Sequence, residues 1–222
     1  MVGATDSLAP LKSGRDSRSG FGLYSGFGKR LLDIVLVLLA APIVLPVIAA
    51  LALWIGLQGQ SPFYVQDRVG KGGRIFRLWK LRTMVPNAEA ALETYLAANP
   101  EARREWDTNQ KLADDPRILP CGHVLRATSL DELPQLWNVL VGDMSLIGPR
   151  PMMPSQVRMY PGRAYYALRP GISGLWQVSQ RNACSFEGRA AYDTTYYEKL
   201  TLLLDLRVLV QTVSVVLRRT GA

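Results

Sequence analysis

Histidine and cysteine are scarce in this chain of 222 residues, which contains one histidine, His123, and two cysteines, Cys121 and Cys184. The cysteines lie far apart and form no CxxC pair, so we expect neither a disulfide framework nor a zinc site, and a reducing compartment fits. A Ser-His-Asp or Cys-His catalytic site would have to use His123, and no nucleophile-elbow motif accompanies it. We therefore expect His123 to be an ordinary polar residue.

The charge balance is basic, with a formal net charge of +8. Such a charge suits an anionic partner, which could be nucleic acid, anionic lipid or a phosphorylated substrate. No recognised nucleic-acid-binding module is found, and a nucleic-acid partner would leave the long uncharged run unexplained. We therefore expect no nucleic-acid partner. Residues 1–28, which are rich in Gly, Ser and basic side chains, are predicted to form a loose tail near the lipid surface.

The run from Ile34 to Leu57 contains no charged side chain and is long enough to span a bilayer as a helix. Pro42 and Pro46 lie near its middle, where each removes a backbone donor and bends a helix. Basic residues flank the run on both sides, so positive charge indicates no direction of crossing. Two interpretations follow from the residues: a kinked transmembrane helix, or a helix that enters, bends and leaves on the same face.

Four further elements are predicted: a β-hairpin around a glycine-rich turn, a helix with leucines four positions apart, a polar helix and a long C-terminal helix with an apolar stripe. They cover residues 63–81, 87–98, 101–112 and 196–219. The glycines between Gly70 and Gly73 favour a hairpin turn over a phosphate loop, because the GxxxxGK[ST] pattern is missing. The last helix carries an apolar stripe together with Asp205 and Arg207, which make a full crossing costly. It is predicted to lie at the membrane interface; a helix packed on the core is the alternative.

Adjacent carboxylates, Asp131 and Glu132, lie between Arg126 and Arg150 in the sequence. The pattern from Ser129 to Glu132 is also that of a capping box, which places the carboxylates at the start of a helix. From spacing alone, capping is at least as good an explanation as catalysis.

The catalytic interpretation uses the same residues. A carboxylate can attack a phosphoryl group and form an acyl phosphate. Two adjacent negative groups repel each other, so a divalent cation and arginines must offset that repulsion. Magnesium, which prefers one or two carboxylates together with phosphate oxygens, suits Asp131 and a diphosphate donor. Arg126 and Arg150 can hold phosphates with paired hydrogen bonds.

These residues resemble the bacterial sugar transferase family, the monotopic phosphoglycosyl transferases of polysaccharide assembly. The resemblance covers roughly Lys29 to Arg219. Its main blocks are Lys29 to Asp33, Lys80 to Met84, Thr128 to Gln135, Gly142 to Pro151 and Arg169 to Val178.

The resemblance implies transfer of a sugar-1-phosphate from a UDP-sugar, UDP-galactose or UDP-glucose, to undecaprenyl phosphate, with release of UMP. This reaction initiates exopolysaccharide, capsule or O-antigen synthesis at the membrane. The resemblance assigns Asp131 as the nucleophile and Mg²⁺ ligand, and Glu132 as its partner. Donor phosphates would be bound by Arg126 and Arg150, with Lys80 and Arg82 as supporting charges. A non-catalytic membrane scaffold of a polysaccharide assembly complex is the alternative function.

The implied fold is a helix-rich α/β fold, in which a small cytosolic domain with a β-hairpin sits on a re-entrant, helix-break-helix membrane segment with interfacial amphipathic helices. The segments are a basic tail (1–28), the re-entrant helix (29–58), the catalytic domain (59–195) and an interfacial helix (196–222). The break is expected at Pro42 and Pro46, although Ala41 replaces the serine that often precedes this proline in the family.

The expected location is the cytoplasmic face of the bacterial inner membrane, in contact with membrane lipids. The chain resembles the short form of the family, without the multi-span N-terminal region of larger relatives. The oligomeric state is left open, a homodimer included.

Overall fold

The computed structural model describes residue 22 and residues 24–109, 112–179 and 186–217. A π-helical turn, Tyr24–Gly28, leads into helix α1, Lys29–Leu57, which is followed by strands β1, Phe63–Val69, and β2, Ile75–Leu81. The later elements are α2 Ala88–Ala98, α3 Pro100–Asn109, α4 Pro120–Thr128, α5 Gln135–Val141, β3 Ser145–Ile147, α6 Ala164–Ala167, β4 Gly171–Ser173, α7 Leu175–Ser179, α8 Arg189–Glu198 and α9 Leu202–Leu217. Short 3₁₀ turns cover Lys71–Gly73, Leu130–Glu132 and Pro154–Met159. The architecture is a helix-rich α/β fold, as predicted.

The predicted hairpin is confirmed: β1 and β2 pair antiparallel along their whole length, from Phe63 opposite Leu81 to Val69 opposite Ile75. The turn between them contains Gly72 and Gly73, both with positive φ, a conformation that glycine adopts without steric cost. Because successive side chains of a strand point to opposite faces, Lys80 follows buried Phe76 and Leu78 on one face of β2. The hairpin thereby directs this lysine towards the interior.

Helix α1 is long and apolar enough to cross a membrane, judged by length and composition. Pro42 and Pro46 lie inside it, and the helix continues through both. The structure therefore contains one helix here, and the predicted break does not divide it into two elements. Large apolar side chains in its middle are solvent-exposed, among them Leu39, Ile43 and Leu45.

Both end regions of α1 pack on the folded part of the chain. Near the start, Val37 is buried in one apolar core, whose other buried members are Phe76, Leu78, Val139 and Met144. Near the end, Ile55 is buried in a second core, whose other buried members are Leu81, Leu119, Cys121 and Leu125. Strand β2 contributes to both cores, so the two ends of α1 contact the same folded unit.

Polar contacts fasten the start of α1 further. Lys29 Nζ lies 2.6 Å from the buried Asp205 carboxylate of α9. Arg30 donates to the carbonyl oxygens of Val139 and Leu140, and the backbone N–H of Leu146 donates to Asp33. These bonds connect α1 to α5, β3 and α9.

The C-terminal region differs from the single long helix predicted for residues 196–219. Tyr196 ends up in α8, and α9 begins only at Leu202. Helix α9 buries Asp205 and Val208 against the core while Leu203, Val210 and Val213 stay exposed. It is therefore amphipathic and packed on the core at the same time. The predicted basic end, Arg218 and Arg219, lies outside the described residues.

Strands β3 and β4 form a short parallel pair, with Ser145 opposite Gly171 and Ile147 opposite Ser173. Ile147 belongs to a third core with residues of α8 and α9, including Tyr196 and Val208. The loop that leaves β3 carries Arg150 and runs towards the acid pair.

Candidate active site

The acid pair lies in a 3₁₀ turn, Leu130–Glu132, between α4 and α5. Ser129 ends α4 in the left-handed conformation, φ 57°, and its side chain makes no capping hydrogen bond. Helix α5 begins at Gln135, and Pro134 is its N-cap residue, a position at which the missing backbone N–H breaks no helical hydrogen bond. The capping-box prediction is therefore wrong. The turn buries Asp131, which is only 8% exposed.

Two cations converge on Glu132. Lys80 Nζ donates to Glu132 Oε1 over 2.9 Å, and Arg150 Nη2 donates to the same oxygen over 3.2 Å. Lys80 Nζ also lies 3.8 Å from Asp131 Oδ2. The predicted site residues Asp131, Glu132, Lys80 and Arg150 are thus brought together by contacts between β2, the acid-pair turn and the loop after β3.

The pKa values of the two carboxyls are shifted in opposite directions. Burial raises the pKa of the Asp131 carboxyl above its ordinary value; the Lys80 ammonium opposes this increase and the Glu132 carboxylate adds to it. Burial also acts to raise the pKa of Glu132. The charges of Arg150 and Lys80, with the hydrogen bonds that they donate, outweigh that effect and lower the Glu132 pKa to about 2. Glu132 is therefore a permanent anion that holds cations.

The loop that carries Arg150 is attached to β1. Arg68 Nη1 donates to the Pro151 carbonyl oxygen over 3.2 Å, and the Val69 N–H donates to the Met152 carbonyl oxygen over 3.0 Å. The Met152 N–H donates to Tyr165 Oη, which in turn donates to the Val69 carbonyl oxygen. These four hydrogen bonds limit the movement of the loop, and they therefore fix the position of the backbone that carries Arg150.

The other predicted arginines have different surroundings. Arg126 lines the same cavity as the acid pair and, among the described residues, pairs with no carboxylate. Arg82 lines it too, but its guanidinium donates to the carbonyl oxygens of Ser61 and Phe63 at the base of the hairpin. Arg82 is thus held by the hairpin and makes no contact with the acid pair.

The acid pair opens into a cavity of about 970 Å³. A cavity of this size accommodates a ligand as large as a nucleotide sugar. The walls come from both strands of the hairpin, the acid-pair turn, α4 and the region from β4 to α9.

Arg117, Trp176, Arg189 and Thr212 are among the wall residues that sequence reasoning did not identify as site residues. Arg117 is engaged with Asp115 in a buried ion pair of 2.6 Å. Trp176 lies in a block that carried the family resemblance, a signal that could have drawn attention to it. Arg189 and Thr212 carried no such signal, because only the packing of α8 and α9 brings them to the cavity.

Metal binding would depend on the ligand. Among the residues that the structure describes, no three or more His, Cys, Asp or Glu side chains cluster in a way that could hold a metal ion. Glu132 is already paired with two cations, which leaves Asp131 as the carboxylate for a metal. Mg²⁺ commonly takes one or two carboxylates and completes its shell with phosphate oxygens and water, so this donor set fits Mg²⁺ only together with a phosphorylated ligand.

Comparison with known proteins decides the family. Residues 24–219 match the sequence profile of the family described as bacterial sugar transferase. The chain belongs to this family. The resemblance found in the sequence is therefore confirmed, and it extends over nearly all of the described residues.

Among its relatives, this bacterial sugar transferase is 45% identical over 200 residues to the UDP-galactose-lipid carrier transferase of Erwinia amylovora. It is 44% identical over 200 residues to the undecaprenyl-phosphate galactose phosphotransferase of Salmonella typhimurium. Both alignments cover 89% of this chain but 42% of the relative, so the chain spans less than half the length of these two proteins. The exopolysaccharide production protein ExoY of Sinorhizobium fredii is 40% identical over 200 residues, with 89% of this chain and 88% of ExoY covered.

Proposed function

We propose that this bacterial sugar transferase transfers a sugar-1-phosphate from a UDP-sugar, UDP-galactose or UDP-glucose, to undecaprenyl phosphate, releasing UMP. The observation that carries the proposal is the asymmetric acid pair at a cavity lined by Lys80, Arg126 and Arg150. The names of the Erwinia and Salmonella relatives support a galactosyl donor and a lipid-linked acceptor. The reaction would begin the assembly of an exopolysaccharide, capsule or O-antigen.

In the first step, an Asp131 oxygen attacks the sugar-linked phosphorus of the donor. A bond forms between that oxygen and phosphorus, and the bond to the bridging oxygen breaks, so that its electron pair leaves with UMP. No side chain among the described residues hydrogen-bonds the Asp131 carboxylate, whereas Glu132 accepts two hydrogen bonds. This difference supports Asp131 as the nucleophile and Glu132 as the residue that positions cations.

In the second step, an oxygen of the lipid phosphate attacks the same phosphorus. The bond between phosphorus and Asp131 breaks, which restores the carboxylate and yields the lipid diphosphate sugar. Lys80, Arg126 and Arg150 offset the negative charge of the phosphates before each attack. A Mg²⁺ ion bound by Asp131 and the donor phosphates would supply further charge neutralisation.

The proposed placement is monotopic, with the cavity on the cytoplasmic face of the inner membrane. Contacts of both ends of α1 with one folded unit support a re-entrant arrangement, since a helix that crosses the bilayer carries one end to the opposite face. Pro42 and Pro46 would let α1 adjust its bend in lipid. The exposed side of α9 would rest at the interface.

UMP release tests the reaction. Purified protein in detergent is incubated with Mg²⁺, undecaprenyl phosphate and a panel of UDP-sugars. Asp131→Asn is expected to lower turnover by about three orders of magnitude or more, because it removes the nucleophile without changing its shape. Asp114→Asn, which changes an exposed aspartate in a loop, is the matched control and is expected to retain wild-type turnover.

Mass spectrometry after incubation with donor alone is expected to find the sugar phosphate on Asp131. Turnover of Asp131→Asn at the wild-type rate excludes this residue as the nucleophile. Absence of UMP release with every donor would favour the scaffold alternative.

Cysteine labelling tests the placement of α1. Phe27→Cys and Gln60→Cys flank the helix, and Cys184→Ser removes a background thiol while Cys121 is buried. Both introduced cysteines are expected to react from the cytoplasmic side. Reaction from opposite sides of the membrane excludes the re-entrant arrangement.

A further inference from the structure

One part of the cavity wall comes from the C-terminal elements. We call it the α9 wall; it consists of Ser173, Trp176, Arg189 and Thr212. Ser173 and Thr212 share a 2.7 Å hydrogen bond that joins β4 to α9. The mechanism above assigns no role to this wall, although it faces the cavity into which Asp131 opens.

The indole N–H of Trp176 is buried and has no hydrogen-bond partner among the described residues. Its side chain is almost completely buried, at 6% exposure, and it lines the cavity. Buried N–H groups are nearly always paired, so an unpaired one at a cavity points to an acceptor atom supplied by a ligand.

Arg189 is stacked on Trp176. Its guanidinium carbon lies 4.3 Å from the centre of the indole ring and 5.2 Å from the centre of the Phe186 ring. Stacking of this kind restricts the orientation of the guanidinium, which stays positively charged. The α9 wall thus combines a positive charge with an N–H donor and contains no carboxylate, a combination that favours an anionic oxygen ligand.

Helix α9 joins this wall to an apolar surface. Thr212 lines the cavity, whereas its neighbours Val210 and Val213 are 71% and 60% exposed. A ligand with an apolar chain on the outer side of α9 can therefore place a charged head group in the cavity. Such a molecule is an amphiphile that carries a phosphate.

We infer that Trp176 and Arg189 bind the phosphate of the lipid acceptor, with the indole N–H and the guanidinium donating to its oxygens. The inference rests on the proposed function, because it assigns the second substrate of that reaction to a separate part of the cavity. The donor diphosphate then lies with Lys80, Arg126 and Arg150, and the two anionic substrates are held by different cations. Their phosphates approach each other at Asp131.

Trp176→Phe tests the inference, since it removes the N–H and retains an aromatic ring for Arg189. The KM for undecaprenyl phosphate is expected to rise about tenfold to hundredfold, the usual effect of losing a hydrogen bond to a charged group. The KM for the UDP-sugar and the rate of UMP release in a single turnover without acceptor are expected to stay unchanged. Glu101→Gln, at an exposed position of α3 outside the cavity, is the control and is expected to change none of these values.

A binding measurement makes the test independent of turnover. Undecaprenyl phosphate in detergent micelles is titrated into Asp131→Asn protein with and without Trp176→Phe, and undecaprenol, which lacks the phosphate, is the ligand control. Trp176→Phe is expected to weaken binding of the phosphate by the same factor and to leave undecaprenol unaffected. Arg189→Lys, which keeps the charge but loses the planar donor, is a second variant and is expected to weaken binding as well.

The outcomes separate the inference from the proposed function. A higher KM for the UDP-sugar, or slower UMP release without acceptor, would assign Trp176 to the donor and overturn the inference while the proposed function stands. Unchanged acceptor KM and unchanged binding in both variants also overturn it. If the wild-type protein releases no UMP, the proposed function fails, and the titration alone decides whether the α9 wall binds the lipid phosphate.

Discussion

Lys80 Nζ lies 2.9 Å from Glu132 Oε1 and 3.8 Å from Asp131 Oδ2. The lysine therefore donates a hydrogen bond to Glu132 and makes only a longer ionic contact with Asp131. Glu132, which also binds Arg150, has a pKa of about 2, whereas burial raises the pKa of Asp131. Different environments for two adjacent acids commonly accompany different chemical roles.

Asp131→Asn is expected to stabilise the fold at pH 7, although it is also expected to lower turnover. A group whose pKa is raised by folding stabilises the native state while it is protonated, and that contribution is lost as the pH rises through its folded pKa. The ionised carboxylate of the wild type therefore lowers the free energy of unfolding, and a neutral amide removes that effect. Thermal unfolding in detergent at pH 7 and below pH 3.8 measures it.

The gain in Tm should vanish at the lower pH, where the wild-type Asp131 carboxyl is protonated and therefore as neutral as the asparagine amide. A variant that is less stable than the wild type at pH 7 contradicts the raised pKa.

Glu132→Gln is expected to lower the free energy of unfolding by about 1–3 kcal/mol at pH 7, because Arg150 loses its ion pair and Lys80 keeps only its longer approach to Asp131. The Glu132 carboxylate stabilises the fold above its unfolded pKa of 4.5, and this stabilisation is lost as the pH falls towards about 2. Urea denaturation at pH 7 and pH 3 measures the difference, which should shrink at the lower pH.

Glu93→Gln is the control for that measurement. Glu93 pairs with Arg103 over 3.0 Å, but both side chains are largely exposed. Exposed pairs contribute less than about 1 kcal/mol. If Glu132→Gln and Glu93→Gln lower the free energy of unfolding equally, the Glu132 ion pairs stabilise the fold no more than an exposed pair does.

Titration of Asp193 is expected to lower the free energy of unfolding as the pH rises above 4. Burial raises its pKa to about 6, although a 2.6 Å hydrogen bond from Tyr160 and the charge of Arg189 act to lower it. Stability should be greatest below the unfolded pKa of 3.8 and fall, by about 3 kcal/mol in total, as the pH rises through 6.

Asp193→Asn is expected to flatten this part of the stability curve, and Asp107→Asn, at an exposed position of α3, is expected to retain it. Urea denaturation in steps from pH 4 to pH 8 compares the three proteins. Identical curves for wild type and Asp193→Asn would show that the carboxyl titrates normally.

Asp205→Asn is expected to loosen the start of α1. Asp205 accepts a 2.6 Å bond from Lys29 and 2.5 Å bonds from the phenols of Tyr24 and Tyr196. Removal of this charge leaves the buried Lys29 ammonium without its ion-pair partner, at a cost of about 3–5 kcal/mol. Thermal unfolding in detergent should show a large fall in Tm, whereas Asp67→Asn, on an exposed part of β1, should show little change.

The sequence was most informative for features that depend on a local pattern of residues. Strand alternation and the glycine turn predicted the hairpin, apolar periodicity predicted α2, and the family blocks brought Asp131 and Arg150 to attention. The same approach failed at Ser129, because a capping pattern does not reveal that this residue adopts the left-handed conformation and ends the preceding helix. It also joined the last two helices, because the interruption around Lys199 carries neither proline nor glycine.

Long-range partners were not predictable in the same way. Lys80 meets Glu132 because β2 packs against the acid-pair turn, 52 positions later. Lys29 meets Asp205 across 176 positions, and Arg189 reaches the cavity through the packing of α8. Such contacts depend on the assembled tertiary structure, and no short motif contains both members.

The packing of α1 determines the order in which the molecule can be assembled during synthesis. This helix is synthesised before the elements on which it packs: Arg30 finds its acceptor at Val139, 109 positions later, and Lys29 pairs with Asp205, 176 positions later. Until those partners are made, the inward face of α1 has only lipid or a chaperone to cover it. A version of the chain that begins after Leu57 would leave two cores open, so we expect it to aggregate on synthesis.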